Sequence, residues 1–466
     1  MGEIGTPRTG PHRGLLVDLY QLTMGESYVA EGLAEREATF SLFFRSLPEG
    51  WGYALAAGLE DALRYLEELR FEDDDLAYLE RTGLFTDSFL ERLRRFRFGG
   101  RVRAMPEGTA VFPNEPLLEV TAPIVEAQIA ETMVLNELHL QTVIAGKASR
   151  CVDVARGCTL VDFSLRRTHG GEAGLKVARA SYIAGFDATS NVLAGRLFEI
   201  PTAGTMAHSY VESFGDELTA FRAFARAYPD SSILLVDTYH TLEGARRAAV
   251  VARELAEAGH RLRGVRLDSG DLLELSKGVR AILDEAGFED AMVFASGGLD
   301  ETEIARLLEA GAPIGGFGVG SKMGVSADAP FLDMAYKLVE LDGRPVLKLS
   351  EGKATLPGRK QVRRVSDESG FVFDAIALDG EPGDGEPLLR EVMRDGRPLS
   401  AEPLADIRER ARRERESLPE QVRALRAAPY DVRIDPALER LRERVATRAG
   451  TEPPSRHLTC NPSHKR

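Results

Sequence analysis

"SILLVDTYHTLEGARRAAVVARELAEAG" (232–259) decides how the middle of this chain is built. Its first residues form a short apolar run that stops at Asp237, the length of a buried strand. After it Leu242, Ala245, Ala249, Ala252 and Ala256 recur at three- and four-residue steps, which places them on one face of a helix. The same unit returns as "RGVRLD" (263–268) with "LLELSKGVRAILDEAG" (272–287), and as "AMVFAS" (291–296) with "ETEIARLLEAG" (301–311). "IGGFGVGS" (314–321) opens one more. Strands alternating with helices from about residue 159 to 325 predict a parallel sheet or barrel of the α/β class.

In such folds reactive groups collect at the carboxyl ends of the strands, where successive loops face one another. "TLVDFSL" (159–165) runs into Arg166 and Arg167, and "IPTAGTMA" (200–207) into His208 and Ser209. "ILLV" stops at Asp237, "VRL" at Asp268, "VFA" at Ser296 and Gly297, and "GGFGVG" at Ser321 and Lys322. Each has an ordinary explanation when taken alone. Asp268 and Ser269 suit the cap of a helix beginning near Asp271, and Asp300 with Glu303 makes a capping-box pattern. Six consecutive strand ends carrying polar or glycine residues point instead to one functional rim. Within "VRLDSGDL" (265–272), Arg266 and Asp268 are expected to face the site while Ser269 or Asp271 satisfies the free N–H groups of the next helix.

The residue types suggest a phosphorylated sugar. Glycines in "GGFGVGSKMG" (315–324) allow backbone N–H groups close to a phosphate, and late βα loops are a frequent phosphate site of barrels. Asp237 and Asp268 could hold ribose hydroxyls or a hydrated Mg2+, which prefers oxygen ligands and substrate phosphates. His208 follows a strand beside Ser209, a context for a nucleophile or an acid/base. His12, His457 and His464 in polar termini and His260 in a connecting loop read as solvated.

Composition narrows the partners. With 59 basic and 73 acidic residues and a formal charge of -14, the chain lacks the basic surplus that nucleic acid or an anionic membrane would require. Its three cysteines, Cys151, Cys158 and Cys460, have neither paired nor zinc-ligand spacing, which predicts a reducing compartment without disulfides. No signal-peptide core and no membrane-length apolar run is present, so a cytoplasmic location is expected. A length of 466 residues suits more than one core.

The flanks follow a different pattern. Residues 1–145 mix strands ("ATFSLFF", "PLLEVTAP") with helices ("YALAAGLEDALRYLEELR", "EAQIAETMVLNELHLQTVIAGKASR"), predicting an α+β domain; residues 146–330 carry the βα repeat. In 331–450, "LVELDGRPVLKL" and "RRVSDESGFVFDAIAL" read as hairpins that complete the first domain's sheet, followed by a charged helical stretch. Residues 451–466 read as a disordered tail.

"LLVDLYQLTM" (15–24), "FSLFFR" (40–45), "GYALAAGLED" (52–61), "DFSLRRTHGGEAGLKVARASYIAGFDATSNVLAG" (162–195), "GTMAHSYV" (204–211), "LLVDTYHTLEG" (234–244), "VRLDSGDL", "GGFGVGSKM" (315–323) and "LPGRKQVRR" (356–364) together resemble the nicotinate phosphoribosyltransferases. The resemblance is collinear from about Leu15 to the region near residue 445. It implies an irregular βα barrel of the type II phosphoribosyltransferase kind, with an α+β domain built from both terminal segments, in a homodimer with sites at the subunit interface. The activity it implies joins nicotinate to 5-phosphoribosyl 1-diphosphate, giving nicotinate mononucleotide and diphosphate in NAD biosynthesis, with Mg2+ as cofactor and ATP as co-substrate through a phosphorylated histidine.

By that resemblance His208 is the phosphohistidine. Tyr20, from the neighbouring subunit, and Phe163 sandwich the pyridine ring, Arg266 faces the base, and Arg166 lies on the base and phosphate side. Asp237 and Asp268 hold ribose and metal. Arg167, Ser296, Gly297, Gly318, Gly320 and Ser321 are expected at the phosphates, with Arg45 and Lys360 reaching the diphosphate across the subunit interface. Ser164, His240 and Gly298 depart from the family pattern, which usually has glycine, aspartate and an acid there. The alternatives are a nicotinamide phosphoribosyltransferase, a quinolinate phosphoribosyltransferase, or a catalytically silent phosphosugar-binding protein. Ser190 stands where the nicotinamide enzymes have an aspartate that would repel a carboxylate, which favours nicotinate. Quinolinate transfer should not need the "GTMAHS" histidine.

Overall fold

The protein is represented by a computed structural model that describes residues 13–350 and 354–448. The tail expected at 451–466, with His12, His457, His464 and Cys460, lies outside the described residues. The chain divides into two compact units, Ile144–Pro330 and the remainder on either side of it.

The Ile144–Pro330 unit is a six-stranded sheet. Its strands in chain order are β1 (Thr159–Asp162), β2 (Ala188–Thr189), β3 (Ile233–Leu235), β4 (Gly264–Leu267), β5 (Met292–Ser296) and β6 (Gly316–Val319). They lie in the spatial order β2-β1-β6-β5-β4-β3, and every pairing is parallel. Parallel strands need crossovers, and helices Gly171–Ala184, Thr241–Glu257, Leu272–Glu285 and Glu301–Glu309 supply them. Among the described residues β2 and β3 are the two edges, with no ladder joining them.

The Thr241–Glu257 helix buries Ala245, Ala248, Ala249, Val251, Ala252 and Leu255. Leu242 and Ala256, expected on that face, lie in the first and last turns of the helix and are exposed. Three of the crossover helices, Thr241–Glu257, Leu272–Glu285 and Glu301–Glu309, lie in the segments read as helical from periodicity. Cys151 and Cys158 are both free thiols, and no helix among the described residues is long and apolar enough to cross a membrane.

The other unit joins both ends of the chain in one antiparallel sheet. Glu37–Phe44 lies between Met334–Leu341 and Leu118–Pro123, and the ladder continues through Arg101–Ala104 to Arg390–Arg394. The hairpin after Met334–Leu341 turns on Asp342 and Gly343, both at positive φ, as the expected Asp-Gly turn requires. The second hairpin, Lys360–Asp367 with Gly370–Leu378, instead centres a separate four-stranded sheet of the same unit. That sheet is fixed by Arg364, buried with Asp374 at 2.6 Å and Glu414 at 2.5 Å. The helix expected over "YALAAGLEDALRYLEELR" (53–70) is shorter. Ala54–Leu55 pairs with Ala110–Val111 as a buried strand, and the helix runs only from Leu59 to Glu68 after Gly58 turns the chain at φ 97°.

Candidate active site at the strand ends

β3 and β4 are neighbours in a parallel register that sets Leu235 opposite Arg266, so Asp237 and Asp268 follow adjacent strand ends. The Asp237 carboxylate accepts from the Asp268 backbone N–H at 2.8 Å and from the Ser269 hydroxyl at 2.7 Å, both on Oδ2. Its Oδ1 is buried without a hydrogen-bond partner. One side chain thus ties two loops together and keeps an unshared oxygen.

Asp268 is the meeting point of three other groups. Ser296, ending β5, donates to Oδ1 at 2.5 Å, and the Arg266 guanidinium lies 3.6 Å from the same oxygen. His208 Nε2 stands 3.8 Å from Oδ2, and its Nδ1 is 3.2 Å from the Thr238 hydroxyl. The imidazole side chain is 39% exposed, open enough to meet a ligand. Arg266 also donates to the Thr205 hydroxyl at 2.5 Å, while its Nε is buried and unpartnered. Burial pulls the Arg266 guanidinium below its ordinary pKa, opposed by Asp268 and Asp237 and reinforced by Arg166. An arginine stays charged under such a shift, so the site keeps a fixed cation beside two carboxylates.

Phe163 supplies an apolar wall. Its ring packs 6.0 Å from that of Phe294, and the Arg266 guanidinium lies 5.9 Å from its centroid. A Cβ on Gly318 would come within 2.5 Å of the Phe163 ring, so the glycine of β6 makes room for that ring. This gives Gly318, expected at a phosphate, a packing reason of its own. Gly297 sits at φ 90°, and a Cβ there would meet the Asp268 carbonyl at 2.1 Å; the tight turn after Ser296 therefore demands glycine. Ser321 is exposed and begins a single helical turn after Gly320, with the Lys322 ammonium 2.6 Å from Asp300. Arg166 and Arg167 are exposed in the turn after Phe163, and Ser190 follows β2.

The "VRLDSGDL" segment divides its labour differently from one of the two options open in its sequence. Asp271 is the helix cap, accepting from the N–H groups of Leu273 at 3.1 Å and Glu274 at 3.3 Å, while Ser269 belongs to the Asp237 network. Asp271→Ala is therefore expected to cost about 1 kcal/mol of stability by urea denaturation. Ser269→Ala should leave that helix intact and lower turnover; equal losses of stability in the two variants would contradict the assignment.

Tyr20, Arg45 and Lys360 belong to the other unit. Tyr20 is 47% exposed, and burial of its hydroxyl end, with Glu131 nearby, pushes the phenol up to about 12. Arg45 pairs with Asp333 at 2.8 Å. Lys360 departs from expectation. Its ammonium is 3% exposed, donates to the Gly358 and Leu356 carbonyls at 2.7 and 3.3 Å, and pairs with Glu119 at 3.3 Å. Those contacts use its donors inside the sheet, which makes it a structural lysine and not a diphosphate ligand. Residues the motifs did not single out include Thr205, Thr238, Asp162 and Thr189. Only Asp162, at the end of an apolar run, carried a signal of the kind that found Asp237.

The residues present suit a hydrated Mg2+. Among the described residues no group of three or more His, Cys, Asp or Glu side chains forms a metal cage. Mg2+ commonly uses one or two carboxylates and substrate phosphates, and the unpartnered Asp237 Oδ1 with the part-exposed Asp268 carboxylate offers that donor set.

Comparison with known proteins gives one consistent answer. The model of the nicotinate phosphoribosyltransferase N-terminal domain matches residues 15–139, and that of the nicotinate phosphoribosyltransferase family matches residues 158–370. The chain is 51% identical to a nicotinate phosphoribosyltransferase of Mycobacterium tuberculosis over 89% of this chain and 90% of that one. It is 46% identical to the Bacillus subtilis nicotinate phosphoribosyltransferase, covering 81% and 78%. The crystal structure of human nicotinic acid phosphoribosyltransferase superposes with a TM-score of 0.82 at 32% identity, over 92% of this chain and 99% of that one.

Proposed function

The chain belongs to the nicotinate phosphoribosyltransferase family and transfers the phosphoribosyl group of 5-phosphoribosyl 1-diphosphate to nicotinate; we propose that it does so at the strand-end cluster, with ATP hydrolysis coupled through His208. The observation that carries this reading is the hydrogen-bonded set Asp237, Asp268 and Ser296, with Arg266 ion-paired to Asp268 and His208 at its edge. The six-stranded unit serves as an irregular βα barrel, and its strand ends as the rim.

Diphosphate leaves from the ribose C1 as the pyridine nitrogen approaches the opposite face. Positive charge develops on the sugar, and the carboxylates of Asp237 and Asp268 stabilise it and hold the ribose hydroxyls. Bound Mg2+ would neutralise charge on the leaving oxygens. Arg266 attracts the nicotinate carboxylate, and Phe163 stacks on the flat ring with Tyr20 of a second copy on its other face. Arg166, Arg167, Ser296, Gly297, Gly318, Gly320 and Ser321 line the phosphates, with Arg45 of a second copy at the diphosphate. A homodimer is supported by the helix Val192–Phe198, directly after Ser190, where Val192, Leu193 and Leu197 are 75%, 50% and 56% exposed. A second copy would cover such apolar side chains.

Base choice follows from Ser190, which places no anion against the carboxylate. Ser190→Asp is expected to raise the nicotinate KM at least about tenfold, the cost of a like charge near the site. Initial rates across nicotinate concentrations check it; unchanged kinetics would remove residue 190 from the base pocket.

A further inference from the structure

The nicotinate pocket as read above is bounded by Phe163 after β1 and Ser190 after β2, two loops with no side-chain bond directly between those residues. A buried carboxylate lies behind both. Asp162, 1% exposed, closes β1. Its Oδ1 accepts from the Ser164 backbone N–H at 2.9 Å and from the Ser164 hydroxyl at 2.6 Å. Its Oδ2 accepts from the Thr189 hydroxyl at 2.7 Å, and Thr189 Oγ1 in turn accepts from the Asn191 N–H at 3.0 Å. The Asp162 carbonyl takes the Ser190 N–H at 2.8 Å.

The consequence is geometric. Phe163 is flanked by the two residues of the Asp162–Ser164 bond pair, and its own N–H donates to the Val319 carbonyl at 2.9 Å. Ser190 is held by its own N–H and by the bonds of both neighbours. Asn191 continues the chain of contacts, accepting from the Ala194 N–H at 3.2 Å to cap the next helix and donating to the Gly174 carbonyl at 3.2 Å. Burial raises the Asp162 carboxyl pKa, opposed by its three donors, so the carboxylate depends on those partners. A charged buried acceptor bonded by hydroxyls and an N–H is a strong and directional tie.

We propose that Asp162 is a positioning residue of the base pocket, whose carboxylate, bridging Ser164 and Thr189, fixes the separation of Phe163 from Ser190 and thereby the fit of the nicotinate ring. The inference rests on the reading that Phe163 and Ser190 bound that pocket. It assigns no contact between Asp162 and substrate. Misplacement of the β2 loop, which carries none of the phosphate contacts proposed above, should weaken the base and leave 5-phosphoribosyl 1-diphosphate largely unaffected, whereas misplacement of the β1 loop, which also carries Arg166 and Arg167, should weaken both.

Thr189→Val keeps side-chain shape but removes the hydroxyl, leaving Asp162 Oδ2 and the Asn191 N–H without their partner. Nicotinate KM, and nicotinate Kd by calorimetry, should rise about tenfold with the 5-phosphoribosyl 1-diphosphate KM changed less than about twofold. Thr189→Ser should restore both values. Ser164→Ala, a milder change on the other oxygen, should raise the nicotinate values about threefold and keeps the test open if the valine variant does not fold. A parallel rise in both KM values in Thr189→Val, or a fall in melting temperature with nicotinate binding unchanged in either variant, would overturn the proposal and leave Asp162 merely structural. Phe163→Ala separates the two levels. If it leaves nicotinate Kd unchanged, the pocket itself is wrongly placed and the proposal falls with it. If it weakens nicotinate while Thr189→Val and Ser164→Ala do not, the positioning role alone fails.

Discussion

Asp268→Asn is expected to lower kcat by about a hundred- to a thousand-fold, the range seen when one preorganised electrostatic group is removed from a reacting centre. The amide keeps the volume of the carboxylate and can still accept from Ser296, whose hydroxyl lies 2.5 Å from Oδ1. What disappears is the negative charge beside Arg266 and His208, the charge that in the proposed mechanism would stabilise the developing oxocarbenium ion and help hold a divalent cation. Stability should barely move, because the backbone N–H of residue 268, not its side chain, makes the bond to Asp237. The Asp268 side chain is also 35% exposed, so little burial is at stake. Steady-state kinetics with a thermal melt check the pair of claims. A large loss of melting temperature with turnover retained would show that Asp268 supports the fold instead of the reaction.

The second large effect belongs to His208. In the proposed coupling a ring nitrogen would attack the γ-phosphorus of ATP, the bond to the bridging oxygen would break and ADP would leave, and water would later take the phosphoryl group to give phosphate. While attached, the added negative charge would sit near Asp268, whose Oδ2 is 3.8 Å from Nε2, and would reorganise the contacts around the diphosphate. His208→Ala should abolish acid-labile, alkali-stable labelling from γ-labelled ATP and all stimulation of synthesis by ATP. The ATP-independent rate should survive, since displacement at the ribose does not use the imidazole. Label on another residue, or full ATP stimulation in the variant, would move the coupling step elsewhere.

Much of this site is legible in the linear sequence because parallel βα units put it there. An apolar run that stops at a polar side chain marks a strand end, and Asp237, Asp268 and Ser296 all follow that rule. The order of strands is not legible in this way. β1 pairs with β6, and that crossover brings Phe163 beside Gly318; nothing in the spacing of either segment announces it. Cap chemistry is similarly ambiguous where two candidates stand two residues apart, and only the backbone path decides between Ser269 and Asp271. Lys360 is placed at the diphosphate only by the family resemblance of "LPGRKQVRR". Its burial against Glu119 depends on Leu118–Pro123, some 240 positions earlier in the chain. The shortened helix at Leu59–Glu68 shows the limit of periodicity, since Ala54 and Leu55 fit a buried strand as well as a helix face.

The most direct measurement is the rate of mononucleotide formation from 5-phosphoribosyl 1-diphosphate with nicotinate, nicotinamide or quinolinate, each with and without ATP. The account predicts efficient conversion of nicotinate to its mononucleotide, stimulation of that conversion by ATP with release of ADP and phosphate, and little product from the other two bases. Equal use of nicotinamide, or nicotinate turnover indifferent to ATP, would contradict it.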